Sequence, residues 1–423
     1  MLDIKFVRAN PEIIKQDLEK RNETEMAGWV DEIIERDKEY REQLQVAQEL
    51  RHKRNEITNE INKAKKENLD ITELLNQAKE IPEKIKQVEE FTESLKNKIN
   101  WYLMRIPNVT HETVPVGKDD SENVEVRRFG EIKKPDFELL NHGELIEKLD
   151  LADFKRAAKV AGSGFYYLKG KLAQLNFALQ RYALDFLIQK GWTIVQPPVM
   201  MNRASYEGVT SLGDFEDVMY KIEDEDLYLI ATSEHPLGAM YMNEVLQKKE
   251  LPLRLAGVSP CFRREIGSHG VDTKGIFRVH QFDKIEQFVF CTEEESWQIH
   301  EEILANAEEL FQNLEIPYRV VNVCTGDLGI IASKKYDIEA WSPRQDKFIE
   351  VVSCSNCTSY QAVRLNIRYQ KDEERTWVHT LNSTAIATSR ALVAILENFQ
   401  NEDGSVTIPK VLRPYMNNAE KIE

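Results

Sequence analysis

Two linked stretches, Phe262-Arg-Arg-Glu265 and Gly275-Ile-Phe-Arg-Val-His-Gln-Phe-Asp-Lys-Ile-Glu286, decide how the C-terminal three quarters of this 423-residue chain is read. Alternation after Gly275 predicts a strand, and side chains two apart on a strand share a face. Arg278, His280, Phe282, Lys284 and Glu286 would then line up together. A guanidinium can fork onto phosphate oxygens, a ring can stack on a base, and a carboxylate can accept from a hydroxyl or amine. That face suits a nucleotide with a small polar substrate; the alternative is a solvated strand with exposed charge. The intervening loop, Ile266 to Lys274, carries Gly267 and Gly270 and is expected to be mobile.

Beyond this segment, helical stretches (Gln174 to Gln189, Ser296 to Leu314, Ser389 to Gln400) alternate with β-rich ones (Phe277 to Cys291, Tyr318 to Cys324, Lys347 to Ser353). Turns as well as helices separate the strands, so an α+β fold with a mainly antiparallel sheet flanked by helices fits best. Upstream, residues 107–130 contain Pro107, Pro115, Gly117 and the acidic run Asp119-Asp-Ser-Glu122, which reads as a linker. The expected divisions are 1–106, 107–130 and 131–423.

Residues 30–106 show apolar positions at steps of three and four: Tyr40, Leu44, Ala47, Leu50, Ile57, Ile61 and Ala64, then Leu74, Ala78, Ile81, Ile85, Val88, Leu95, Ile99, Tyr102 and Ile106. Only Thr92 interrupts the second run, and the polar break Lys65 to Asp70 separates the two. This spacing predicts an antiparallel coiled-coil hairpin; about 35 residues at about 1.5 Å each would project about 50 Å. Pro82 removes a backbone hydrogen bond, so a kink or restart is expected there. The arm carries 15 Lys+Arg against 17 Asp+Glu between residues 30 and 105. Its cations cluster as Arg51-His-Lys-Arg54 and as Lys63, Lys65 and Lys66. Such clusters suit phosphate contacts, or simply a solvated face; the arm itself could equally be a spacer or a dimerisation element.

The formal charge of −16 argues against a surface that coats nucleic acid generally. No apolar signal core opens the chain and no run is long enough to span a membrane. Five cysteines do not form a disulfide framework, so a reduced, cytoplasmic protein is expected. A P-loop is absent. Gly162-Ser-Gly164 reads as a turn, because Tyr167 stands where a dinucleotide fingerprint needs glycine. Cys354-Ser-Asn-Cys357 lacks the second pair a structural zinc needs and reads as ordinary strand-end cysteines.

Taken together, these segments resemble the class II aminoacyl-tRNA synthetases and, within them, the seryl-tRNA synthetase family, over essentially the full length. Gly191-Trp-Thr-Ile-Val-Gln-Pro-Pro198 is similar to the first class II motif, at the family's dimer interface. Phe262 to Glu265 with Arg278 to Phe282 is similar to the second, and Asn382 through Arg390, running into Ala391 to Glu397, to the third. The seryl branch is indicated by the arm, its exit Arg105-Ile-Pro-Asn108, Thr232-Ser-Glu234, Gln281 to Glu286, Cys324-Thr-Gly-Asp327 and Ser353-Cys-Ser-Asn356.

The resemblance implies a homodimeric ligase that activates L-serine with ATP and Mg²⁺ and charges tRNA(Ser), with tRNA(Sec) left open as a second acceptor. It implies that Arg263 meets the α-phosphate and the serine carboxylate. Arg264, Glu265, Arg278 and Phe282 hold the ATP, Phe282 by stacking on adenine. Arg390 meets the γ-phosphate, Glu350 and Ser353 ligate Mg²⁺, and Val351 and Val352 line the nucleotide. Thr232, Ser233, Glu234, Glu286 and Thr384 surround serine, with Glu286 accepting from its hydroxyl and Ser233 adding a hydroxyl at the rim. The third motif departs from the family in having no glycine between Asn382 and Arg390. Its rivals are a tRNA-binding paralogue that has lost adenylation, an enzyme that aminoacylates a carrier protein, and a threonine-specific relative, for which no zinc-ligand set is present.

Overall fold

The structure, a computed structural model, describes residues 1–211, 218–265 and 275–423. The loop Ile266 to Lys274 therefore lies outside the described residues. The chain forms two compact units, Leu2–Ile106 and Pro107–Glu423, the latter also including Met1.

In the N-terminal unit the apolar spacing becomes two long helices, α1 (Ala27–Lys66) and α2 (Thr72–Leu103). At about 1.5 Å per residue they run roughly 60 and 48 Å. Leu69 N–H donates to Ala64 O, closing the first helix, and Asp70 accepts from Thr72 N–H, opening the second. Ile57, Ile81 and Ile85 form a dry cluster with Leu50, Ile61 and Ala78 at its edge. Nearer the base, Leu95, Ile99 and Leu103 are buried, and Trp29 packs on Trp101 and Tyr102. Thr92, the polar interruption, is buried and returns its hydroxyl proton to Val88 O at 2.6 Å. Two expectations are corrected. Leu44 is 44% exposed and lies off the seam. Pro82 marks no restart, because α2 runs through it, with Ile81 and Ile85 anchoring either side. Ile57→Ala is expected to cost about 2–4 kcal/mol locally. Hydrogen exchange should then speed up in the outer hairpin alone; uniform protection throughout the arm would refute this.

The second unit is built on an eight-stranded sheet. Its strands are β1 (Val124–Phe129), β2 (Thr193–Val195), β3 (Leu253–Phe262), β4 (Gln281–Cys291), β5 (Tyr318–Asn322), β6 (Lys334–Ser342), β7 (Lys347–Asn356) and β8 (His379–Ala387). Their order is β1-β5-β6-β7-β8-β4-β3-β2. Every neighbouring pair is antiparallel except β2 with β3 at one edge. Helices α3 (Gly170–Gln189), α5 (Ser296–Asn313) and α6 (Thr388–Asn398) supply the apolar layer over it, and the short helix α4 (Glu234–Ala239) joins a second apolar cluster.

The stretch 107–130 differs from a linker. Asn108 is buried and donates to Ile331 O and Cys357 O, both at 2.9 Å, while β1 pairs along β5. Proline and glycine here mark irregular backbone whose polar groups are met by distant loops. Cys354 and Cys357 are free and buried. Among the described residues no helix is long and apolar enough to cross a membrane.

Candidate active site

Strand β4 begins at Gln281, later than the alternation suggested, and residues 275–280 form bends and irregular backbone. The five-residue face therefore divides. Arg278 is half-exposed, and His280 packs under the turn at Gly164, where a Cβ would lie 2.3 Å from the imidazole. His280 Nδ1 donates to Arg263 O at 2.7 Å and Arg263 N–H donates back to His280 O at 3.0 Å. That pair of bonds holds Arg263 at the end of β3. Phe282, Lys284 and Glu286 continue on a common face of β4, and at Lys284 and Glu286 that face opens on a cavity of about 390 Å³.

Thr232, Glu234, Arg263, Glu286, Glu350, Ser353 and Thr384 all line this cavity, so it gathers the expected substrate, metal and phosphate groups. The gathering has a simple origin in the sheet. Glu286 pairs with Gly257 on β3 and with Thr384 on β8. A Cβ on Gly257 would lie 2.6 Å from Ser233 Oγ and 2.8 Å from Leu237 Cδ1. Glycine at that rung lets α4 settle on the sheet and brings Thr232 and Glu234 toward Glu286. On the other side, the register shifts between Thr384 and Ile386. Such a bulge re-aims side chains beside a site.

Charge in the cavity is concentrated. Glu286 is 1% exposed, and burial raises its carboxyl above the ordinary range. Lys284 Nζ lies 2.6 Å from Glu286 Oε2, yet that oxygen has no hydrogen bond of good geometry. The contact is an ion pair with poor alignment, leaving a lone pair available to a ligand. Glu234 is pushed up to about 7, first by burial and then by the Glu286 charge. Asn382 and Gln361 both donate to Glu234 Oε1, at 3.1 and 3.3 Å, and Thr380 fixes Gln361 by donating to its Oε1. His235 is lowered to about 3 by burial, then by Lys284, and is neutral. Tyr206 O–H donates to Leu229 O and accepts from Ala231 N–H. Its remaining lone pair can therefore accept from His235 Nδ1, leaving Nε2 as an unprotonated acceptor.

The sign of the Glu234 effect is definite. The folded protein holds this proton to about pH 7, whereas the unfolded chain releases it near 4.5. The stability tied to the buried, protonated form is complete below the lower value and is lost as pH rises through the upper one. Glu234→Gln is expected to flatten the fall in melting temperature between about pH 5 and about pH 8. A scanning-calorimetry profile parallel to wild type would contradict it.

Of the phosphate-side residues, Arg263 donates from Nε to Ala231 O at 3.4 Å, and its guanidinium sits 5.3 Å from the Phe282 ring centroid. Glu265, in a left-handed conformation (φ 46°), lies 3.9 Å from Arg278. Arg264 is held through its N–H to Val218 O. Arg390, at the start of α6, donates to Glu350 O at 2.9 Å, lies 3.0 Å from its carboxylate, and covers Phe277. Arg264, Glu265, Arg278, Phe282 and Arg390 are not among the residues lining the cavity.

Three site expectations need correction. Val351 and Val352 are both buried in the core, because the register shift opposite Ile338 and Glu339 breaks the alternation at Val351; a nucleotide would meet their peptide groups rather than their side chains. Ser233 is fully buried beside Gly257, with its hydroxyl unpartnered, rather than at a rim. In the glycine-free run, Ser383, Thr388 and Ser389 are also buried, and only Asn382 and Thr384 face the cavity. Residues missed by the sequence reading include His235, Gln361, Cys357 and Asp337. Asp337 pairs in register with Ser353, is pushed up to about 7 by burial, and has an unpartnered Oδ1. Nothing local in the sequence marks Gln361 or Asp337.

Glu350 and Ser353 offer hard oxygen donors of the kind Mg²⁺ accepts. No three His, Cys, Asp or Glu side chains converge among the described residues, so a cation here would draw its other ligands from phosphates and water.

Two family descriptions match the chain: the seryl-tRNA synthetase N-terminal domain over residues 1–110, and the tRNA synthetase class II core domain (G, H, P, S and T) over residues 219–399. A serine–tRNA ligase of Methanoculleus marisnigri is 61% identical over 425 residues, covering 100% of both chains. The crystal structure of seryl-tRNA synthetase from Pyrococcus horikoshii complexed with ATP superposes with a TM-score of 0.93 at 56% identity, covering 100% of this chain and 99% of that one. A cytoplasmic serine–tRNA ligase from Naegleria fowleri in complex with AMP gives 0.88 at 38% identity, with the same coverage.

Proposed function

The chain belongs to the seryl-tRNA synthetase family of class II ligases, and from that premise we propose that it activates L-serine with ATP and transfers the seryl group to tRNA(Ser). The observation that carries this reading is the convergence of Glu286 and Thr384 with Arg263 in one cavity.

In the first step the serine carboxylate attacks the α-phosphorus and pyrophosphate leaves. Both reacting groups are anionic, so the barrier is chiefly electrostatic and positional. Arg263 draws the carboxylate and the α-phosphate to one point. Thr232 and Glu234 take the α-ammonium end, and Glu286 with Thr384 takes the hydroxyl. The carboxylate nucleophile has no proton to lose, so no general base is required. Mg²⁺, held by Glu350 and Ser353, would neutralise phosphate charge. Arg390 would meet the departing phosphates, exchanging its contact with Glu350 for them. A terminal ribose hydroxyl of the tRNA then attacks the seryl-adenylate carbonyl and releases AMP.

The same premise supports a cytoplasmic homodimer whose arm grips tRNA. Phe177 and Ile188, 68% and 48% exposed on the helix leading into edge strand β2, offer apolar surface for a second copy. Exposed Arg54, Lys63, Lys65 and Lys66 offer cations to RNA phosphates. The impaired-paralogue reading loses its one support, since the side chains added in the third motif point into the core. Serine-dependent ATP–pyrophosphate exchange is the test: exchange with L-serine is expected, and folded protein that shows none would refute the activity.

A further inference from the structure

We infer that Lys284 is a specificity-determining residue of this site, its ammonium setting the charge and position of Glu286 so that the carboxylate selects a substrate bearing a hydroxyl. The inference deepens the serine-activating reading and rests on it. Lys284 is 7% exposed, lines the cavity, and stands two residues before Glu286 on the same face of β4. Its Nζ is 2.6 Å from Glu286 Oε2, an ion pair without the alignment of a hydrogen bond, and the Thr384 hydroxyl also supports that carboxylate. A buried lysine almost never lacks a charged partner, and here that partner is the group placed to read the substrate.

What Lys284 prevents is visible next door. Glu234 shares the cavity and the burial but has only amide donors on its carboxylate, and it holds a proton to about pH 7. Without the ammonium, only Arg263 and the Thr384 hydroxyl would be left to hold the Glu286 charge against burial, and the carboxyl would shift further toward its neutral form. A neutral carboxyl still meets a hydroxyl, but a hydrogen bond to an ionised acceptor is roughly twice as strong. The penalty for leaving that acceptor unmet by alanine is larger as well. Lys284 therefore acts through Glu286, as a positioning residue that sharpens the choice of serine over alanine.

The experiment is ATP–pyrophosphate exchange with serine and with alanine, for wild type, Lys284→Met, Glu286→Gln and the double variant. Lys284→Met is expected to raise the KM for serine about tenfold and to lower the serine-to-alanine ratio of kcat/KM by a similar factor. The KM for ATP should stay within about twofold, which a general structural defect would not respect. Because the lysine works through the carboxylate, adding Lys284→Met to Glu286→Gln should change nothing further. That comparison also serves if Lys284→Met alone is too unstable, since the double variant buries no unpaired charge. Wild-type serine KM and discrimination in Lys284→Met, or full additivity with Glu286→Gln, would overturn the assignment. Wild type inactive with serine would instead overturn the function on which it rests.

Discussion

Arg263→Ala is expected to lower serine-dependent ATP–pyrophosphate exchange by roughly 10³-fold, the scale of losing a cation that meets transferring phosphate charge, while the protein keeps its fold. Among the described residues lining the cavity Arg263 is the one arginine, so its loss removes the cation set between carboxylate and α-phosphate on the proposed reading. Among the described residues its side chain is lightly built in, with one long bond to Ala231 O and the face of the Phe282 ring. Its backbone latch to His280 does not depend on side-chain identity and survives the substitution. Circular dichroism and the oligomeric state should therefore match wild type. Exchange retained within about tenfold would remove Arg263 from the role given to it.

Shortening the arm should separate the two half-reactions. Replacing residues 52–84 by a tight turn removes the outer apolar cluster of Ile57 and Ile81 together with Arg54, Lys63, Lys65 and Lys66. The cut lies near the level where Arg51 and Glu89 pair at 2.6 Å across the helices. The base keeps Leu95, Ile99 and the Trp29–Trp101–Tyr102 contacts, so the remaining hairpin has a core. Serine-dependent exchange should be unchanged. Charging of tRNA(Ser) should fall on the order of 10²–10³-fold in kcat/KM, and its salt dependence should flatten as phosphate contacts disappear. Undiminished charging would refute the arm as the tRNA grip.

The hairpin was legible because its seam is local: nearly every turn presents an apolar residue, and the spacing survives one threonine. Most of the sheet was not. All nine residues of β8 are buried, and a strand covered on both faces shows no period-two alternation to read. Residues 107–130 misled through composition, since their order depends on partners such as Thr325 and Ile331, more than two hundred positions away. Thr232, Glu234, Glu286 and Thr384 could be singled out only because family motifs mark them, and the structure brings them to one cavity. Gln361, Asp337 and the need for glycine at 257 arise only from tertiary contact, and Val351, Val352 and Ser233 were misplaced because a bulge and a close helix approach leave no local trace.

The rung formed by Gly257, Glu286 and Thr384 has a consequence for reprogramming this enzyme. On the proposed reading the amino-acid side chain would be read where β4 and β8 meet at one level of the ladder, whereas Glu350, Ser353 and Arg390 stand on other segments. Randomising positions 286 and 384, with 284 chosen to balance charge and 257 left as glycine, would vary the monomer accepted and leave the phosphate-handling groups untouched. A library of that design treats the recognition of the monomer as a cassette, open to hydroxylated amino acids that no natural codon specifies.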